Sequence, residues 1–186
     1  MPTTANVSAG KPKVAGAIFR APKGTTLPTD ATTALTSAFK DMGYVSEDGV
    51  ANANEADSEE IKSWGGKTVL VISTNNSDKF SLALIESTNV EVLKAIFGPA
   101  NVSQDTATNA ITINVAGLCN DEAVWVIDMQ MNDSWMKRIV IPSGVLSELG
   151  DVTYKDNEAI AYEVTINALP DSSGNTHYEY MAKAAA

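Results

Sequence analysis

The residue types that carry most enzyme chemistry are scarce in this sequence. It has one cysteine, Cys119, and one histidine, His177. One cysteine closes no internal disulfide, which fits a reducing compartment. One histidine makes no metal cluster, and with Cys119 it would supply half of one, so both read as ordinary structural residues. A serine nucleophile would have to use His177, and no Gly-x-Ser-x-Gly elbow is present. Basic residues are few as well: 13 Lys and Arg against 23 Asp and Glu give a net charge of −10. That balance argues against tight electrostatic binding to nucleic acid or to an anionic membrane. No apolar run approaches the roughly 18 residues that span a bilayer. The first ten residues, Met1 to Gly10, lack the apolar stretch of a secretory signal. A soluble protein, cytoplasmic at synthesis, is the expectation.

What is present reads as strand. At 186 residues and 44% hydrophobic content, the chain is expected to fold as a single domain with a real core. Its centre is residues 79–99. Phe80, Leu82 and Leu84 alternate with Ser81 and Ala83, as a half-buried strand requires. The period then changes. Val90, Leu93, Ile96 and Phe97 follow at helical spacing, with Thr88 as N-cap and Glu91 completing a capping box. Gly98 suits a helix end with positive φ, and Pro99 bars continuation. This predicts one short helix over about 88–97, packed on a β core.

Elsewhere, strands are predicted over Val14–Arg20, Lys67–Thr74, Ala110–Leu118, Ala123–Met131, Trp135–Ile141, Val145–Tyr154, Ala159–Ala168 and Thr176–Met181. Turn residues separate them, including Gly65-Gly66, Asn132-Asp133 and Pro142-Ser143-Gly144. The segment Thr29–Lys40 has helical spacing at Leu35 and Phe39, with Asp30 as a possible cap. Six to nine such strands mean a mainly β protein, an antiparallel sandwich or barrel with one helix against it. Residues 1–13 read as a flexible N-terminal arm, 14–181 as the core, and 182–186 as a frayed tail.

Residues 44–66 form the unusual piece. Tyr44–Val50 would be a strand broken at Glu47-Asp48-Gly49, and 51–60 are polar and acidic with no apolar face. They predict a long loop, either a solvated surface segment or one that orders only against another subunit, anchored by Ile61 and Trp64. Candidate inter-subunit contacts are therefore Glu47, Asp48, Glu55, Asp57, Glu59, Glu60, Ile61 and Trp64.

Other chemistry is absent or weak. Trp64-Gly65-Gly66-Lys67-Thr68 ends like a phosphate-binding loop, but Ile61 stands where the first glycine belongs and a strand follows. Asp171-Ser172-Ser173-Gly174-Asn175 is too short for a calcium loop. Four Asn-x-Ser sequons, at Asn6, Asn75, Asn101 and Asn132, mean little without a secretory route. Carboxylate pairs such as Asp121/Glu122 cannot be placed at a catalytic separation from sequence. No catalytic residue, cofactor or metal is predicted. The polar strand faces are small and weakly charged, and edges with so few lysines tend to pair with another chain.

Several stretches have a familiar form. Lys11-Pro12-Lys13-Val14-Ala15-Gly16-Ala17-Ile18-Phe19-Arg20-Ala21-Pro22 and Gly24-Thr25-Thr26-Leu27-Pro28-Thr29-Asp30 resemble the start of major tail tube proteins of long-tailed, non-contractile bacteriophages. So do Gly43-Tyr44-Val45-Ser46-Glu47-Asp48-Gly49, Asn89-Val90-Glu91-Val92-Leu93 and Lys137-Arg138-Ile139-Val140-Ile141-Pro142. Leu169-Pro170-Asp171-Ser172-Ser173-Gly174-Asn175-Thr176-His177-Tyr178-Glu179-Tyr180 is the most specific of these stretches, and the likeness looks closest for phages of actinobacteria. The resemblance implies a β-sandwich or barrel with a flanking helix, stacked as hexameric rings into a hollow tube that conducts DNA from capsid to host. It also implies a long loop and terminal arms bridging neighbouring subunits and rings. Implied partners are further copies, a tape-measure protein, the tail tip or baseplate, and a tail terminator. The location would be the virion tail, after assembly in the host cytoplasm. A ring of six would carry about −60, so DNA would pass without specific binding. Asp128 and Glu163 are the candidate lumen-facing carboxylates. The rival readings are a monomeric β-sandwich binding or adhesion module, the tube component of a contractile secretion system, and a carboxylate-dependent hydrolase.

Overall fold

The computed structural model describes residues 2–13 and 16–183. The chain is mainly β and antiparallel. Its strands are β1 (Lys11–Pro12), β2 (Ile18–Pro22), β3 (Lys40–Asp41), β4 (Val45–Lys62), β5 (Thr68–Leu84), β6 (Val102–Gln104), β7 (Ile111–Ile113), β8 (Ala123–Gln130), β9 (Trp135–Leu149), β10 (Tyr162–Ala168) and β11 (Tyr178–Lys183). One helix, α1 (Val90–Phe97), follows β5. The main sheet runs β3-β2-β8-β9-β10-β5-β4, with β1 on β8 and β11 on β9, while β6 and β7 form a separate pair.

β9 makes this a sandwich. Its first half, Trp135–Val140, pairs with β8 and β11, and its second half, Gly144–Leu149, pairs with β10. The sequence predicts that Pro142-Ser143-Gly144 ends a strand, yet the strand runs through. A register shift opposite β8 leaves room for Pro142, which has no N–H to offer a ladder. Gly144 is required there because a Cβ would lie 2.7 Å from Trp125 Cδ1 and 2.8 Å from Ile166 Cγ2.

Between the two halves lies the main core. Ile18, Trp125, Ile127, Ile139 and Ile141 face Phe80, Leu82, Leu84, Val164 and Ile166, and Val92, Leu93 and Ile96 of α1 pack into it. The spacing predicts Leu93 and Ile96 correctly, but Val92 and Ala95 are the other buried residues of α1, while Val90 and Phe97 are only half-buried at the margin of the core. Its cap is one residue later: the Asn89 side chain accepts from Glu91 N at 3.0 Å, so Asn89 rather than Thr88 is N-cap. Gly98 has φ 93° and donates to Lys94 O.

A second, smaller core explains why Ala123–Asp128 is buried on both faces. Val124, Val126 and Val140 meet Leu27, Leu35 and Phe39. The last two lie in the segment Thr29–Lys40, which is an irregular strap over the sheet instead of a helix. Asp30 caps a turn, accepting from the backbone of Thr32 (2.7 Å) and Thr33 (2.6 Å). Arg138 pins the strap: its Nη1 donates to the carbonyls of Asp30 (3.0 Å) and Thr33 (2.9 Å). The same guanidinium holds Asp128 through two bonds of 2.6 and 2.7 Å. Both side chains are buried, and Lys13 Nζ stands 3.6 Å from Asp128. Asp128 is therefore not the lumen-facing carboxylate the sequence predicts. It shares the face of β8 that carries Val124 and Val126, and the strap covers that face.

The largest departure concerns residues 44–66. The acidic stretch 51–60, predicted as a loop, is the middle of β4, laddered to β5 from Ala51↔Ser81 to Ile61↔Leu70. Only the tip, around Gly65 and Gly66, is a turn, as the sequence predicts. The N-terminal stretch meets the body where β1 pairs with Met129 and Gln130, and where Asn132 Nδ2 donates to Val7 O at 3.0 Å. Val14 and Ala15 of the predicted first strand, and 184–186 of the predicted frayed tail, lie outside the described residues. Several predicted strands are shorter: Ala110–Leu118 gives only β7, and Ala159–Ala168 begins at Tyr162.

The pair at the strap gives a direct test. Arg138→Ala would leave Asp128 buried without its main partner and free the strap, costing about 3–5 kcal/mol. Urea unfolding should show it as a lowered midpoint at unchanged slope, and an unshifted midpoint would contradict the role.

Candidate functional site: a projecting arm and an acidic face

Two features stand out from the body. The first is the β4–β5 arm. From Ala51 to Ile72 every described side chain is exposed. At about 3.3 Å per residue, the stretch from Asn52 to Lys62 extends roughly 30 Å. The arm carries an unusual apolar load: Trp64 is fully exposed at the tip, and Val69, Leu70, Val71 and Ile72 are 43–60% exposed, with Ile61 beside them. Consecutive apolar residues on a two-sided ribbon put apolar surface on both faces, and contiguous exposed apolar surface marks a contact site.

The second feature is the outer face of β10, β5 and β4. In register, Glu163 lies opposite Ala83, Thr165 opposite Ser81, and Asn167 opposite Lys79. Their neighbours along the strands point into the core. Asp48, Glu148 and Glu163 line an open concavity here with Ser46, Ser81 and Thr165. Glu163 is exposed, as a lumen-facing carboxylate must be. Strand alternation continues this face onto the arm through Ala51, Ala53, Glu55, Asp57 and Glu59. Lys79 is the cation among these positions.

The remaining predicted contacts fall in two places. Glu47 and Asp48 occupy a bulge at the arm's base, where the register jumps from Val45↔Leu84 to Val50↔Leu82. Glu60 points away from the acidic face, accepts from Thr68 Oγ1 at 3.1 Å and stands 3.8 Å from Lys62. Thus the arm gathers all eight predicted contact residues, and Asp128 is separate from them.

Among the described residues the geometry brings together no catalytic constellation. Cys119 is half-buried, and burial pushes its thiol up, away from thiolate. His177 pairs with Asp78, not with a nucleophile. Among the described residues no group of three or more His, Cys, Asp and Glu side chains could hold a metal ion. Among them also, no helix is long and apolar enough to cross a membrane.

A family model described as phage tail tube protein matches residues 5–186. The chain belongs to the phage tail tube protein family. No curated protein matches it. As a tail tube protein it is a structural component of the virion tail, in a family of tube subunits and not of enzymes. Self-assembly into a tube goes with that membership.

The sequence reading missed two things. One is Asp128–Arg138, which had a signal: a hairpin turning at Asn132-Asp133 puts residues 128 and 138 opposite each other, as observed. The other is the set of partners around Asp78, described below, which bridges nearly a hundred residues and has no local signature.

Proposed function

We propose that six copies close into a ring and that rings stack into a hollow tube conducting phage DNA from capsid to host. The observation that carries this reading is the arm: roughly 30 Å of ribbon with apolar surface and no core of its own. Its tip, with Ile61, Trp64 and Val69–Ile72, seats on a neighbouring subunit or ring. Fully covering one such aliphatic side chain is worth about 1.5–3 kcal/mol. Association costs roughly 4–15 kcal/mol, so one arm alone binds marginally and a ring of arms binds well.

Free edges support ring closure. Beyond Gly144, β9 pairs only with β10 among the described residues, and β4 pairs only with β5. The four strands β9-β10-β5-β4 thus end in two unpaired edges, and β4 has only Lys62 as a guarding lysine. Joining one copy's β4 to the next copy's β9 would turn the acidic face carrying Glu163 toward a common axis. Carboxylates there repel phosphate, so DNA slides without specific binding. Further partners on this reading are a tape-measure protein, the tail tip or baseplate, and a tail terminator, met in the host cytoplasm. The long, non-contractile tail type and the likeness to phages of actinobacteria rest on the resemblance of residues 11–22, 24–30, 43–49, 89–93, 137–142 and 169–180.

Two outcomes are expected. Replacing residues 56–76 by Asn-Gly closes the hairpin on the Glu55↔Ser77 pair with a two-residue turn. That chain should keep the parent thermal midpoint, with circular dichroism reduced only by the strand residues removed, yet form no tubes, and tube formation would refute the arm's role. Glu163→Lys should leave tubes intact and slow DNA release from assembled virions. An unchanged ejection rate would remove Glu163 from the bore.

A further inference from the structure

Asp78 sits where the arm leaves the body, only 3% exposed. It accepts three side-chain hydrogen bonds. Asn52 Nδ2 of β4 donates at 2.7 Å, Thr176 Oγ1 at 2.6 Å, and His177 Nδ1 lies 2.5 Å away. Asn52 also donates to Lys79 O, and the ring of Phe80 meets the imidazole edge-on at 5.2 Å. An ionised carboxylate has no proton to give, so Nδ1 is the donor and the imidazole orientation is fixed.

The placement of these groups matters more than their number. Thr176 and His177 immediately precede β11, which pairs with the first half of β9 in the other layer of the sandwich. Asp78 and Asn52 belong to the two strands of the arm. The cluster therefore joins the root of the arm directly to a segment that pairs with neither arm strand and otherwise reaches it only through β9 and β10.

We propose that Asp78, His177, Thr176 and Asn52 form a latch that fixes the direction of the arm, and that a closed latch is needed for the arm to engage a second copy of this chain. The second half of this proposal rests on the arm being the assembly element. Asp78 and His177 act as positioning residues. The titratable group facing His177 across the cluster is Asp78, while β4 presents neutral Asn52 and β5 the ring of Phe80. Burial raises the Asp78 carboxyl, but the bonds from Thr176, His177 and Asn52 outweigh it and hold the group below the ordinary carboxylate range. A depressed folded value means the stabilisation is present above the unfolded value, near pH 4, and is lost as pH falls through the folded one. The latch is closed at neutral pH and is lost as pH falls through the lowered carboxyl value.

The test uses the full chain at a concentration below that of assembly. His177→Phe keeps the ring against Phe80 but removes the donor. His177→Asn keeps a donor in the place of Nδ1 without the imidazole. Amide hydrogen exchange over residues 50–56 and 76–82 should quicken by about tenfold or more in His177→Phe, as expected for losing a bond to a charged acceptor. Residues of β8 should be unaffected, and His177→Asn should restore protection at the root. On concentration, His177→Phe should polymerise poorly and His177→Asn normally. Unchanged root exchange in His177→Phe overturns the latch. A loosened root with normal tube growth overturns its control of assembly. Tubes formed by the arm-replaced chain would instead overturn the reading of the arm, a separate failure.

Discussion

A two-stranded ribbon standing in water has its ladder and little else. Isolated hairpins are marginal because neither face is dry. The β4–β5 arm lives under that constraint: its backbone is laddered from root to tip, while its described side chains from Ala51 to Ile72 find no core. The rest of the molecule can be understood as what holds such a ribbon out and makes it useful. At its root, β5 passes into the sandwich through Phe80, Leu82 and Leu84, fixing one strand of the arm by burial. At its far end only another molecule can cover Trp64 and the apolar run Val69–Ile72.

The body supplies rigidity by burying β8 on both faces. That requires the strap, and the strap is held by Arg138, whose guanidinium is shared between Asp128 and two strap carbonyls. A buried ion pair of this kind gains little net stability over an apolar pair, but it is costly to break. Here it specifies where an irregular segment lies. β9 couples the two layers, so forces on the β10-β5-β4 side are transmitted to the side that carries β11.

Local patterns were readable where the physics is local. The change of period after Leu84, the cap region and Gly98 located the helix within two residues. Alternation located β8 and β10, and Gly65-Gly66 the tip. Non-local pairing was not readable. Ala51–Glu60 has every local mark of a loop, and it is a strand because the apolar run of β5 offers it a ladder across the turn. Leu35 and Phe39 have helical spacing, but Thr-rich sequence and the Asp30 turn favour a strap that the second core can use. Asp128 was expected in the lumen, and the covering of its strand face by a distant segment left no trace nearby. The resemblance to tail tube proteins, by contrast, rested on whole stretches, and the family match over residues 5–186 supports it.

The central claim is that this chain polymerises through its arm into an even, hollow tube. Electron microscopy of the purified protein, concentrated alone and then with tail-tip proteins as nucleus, tests it most directly. The account predicts tubes of uniform diameter whose averaged cross-sections show six-fold symmetry around an open bore. Monodisperse small particles under both conditions, with the arm still in its folded ladder, would contradict it.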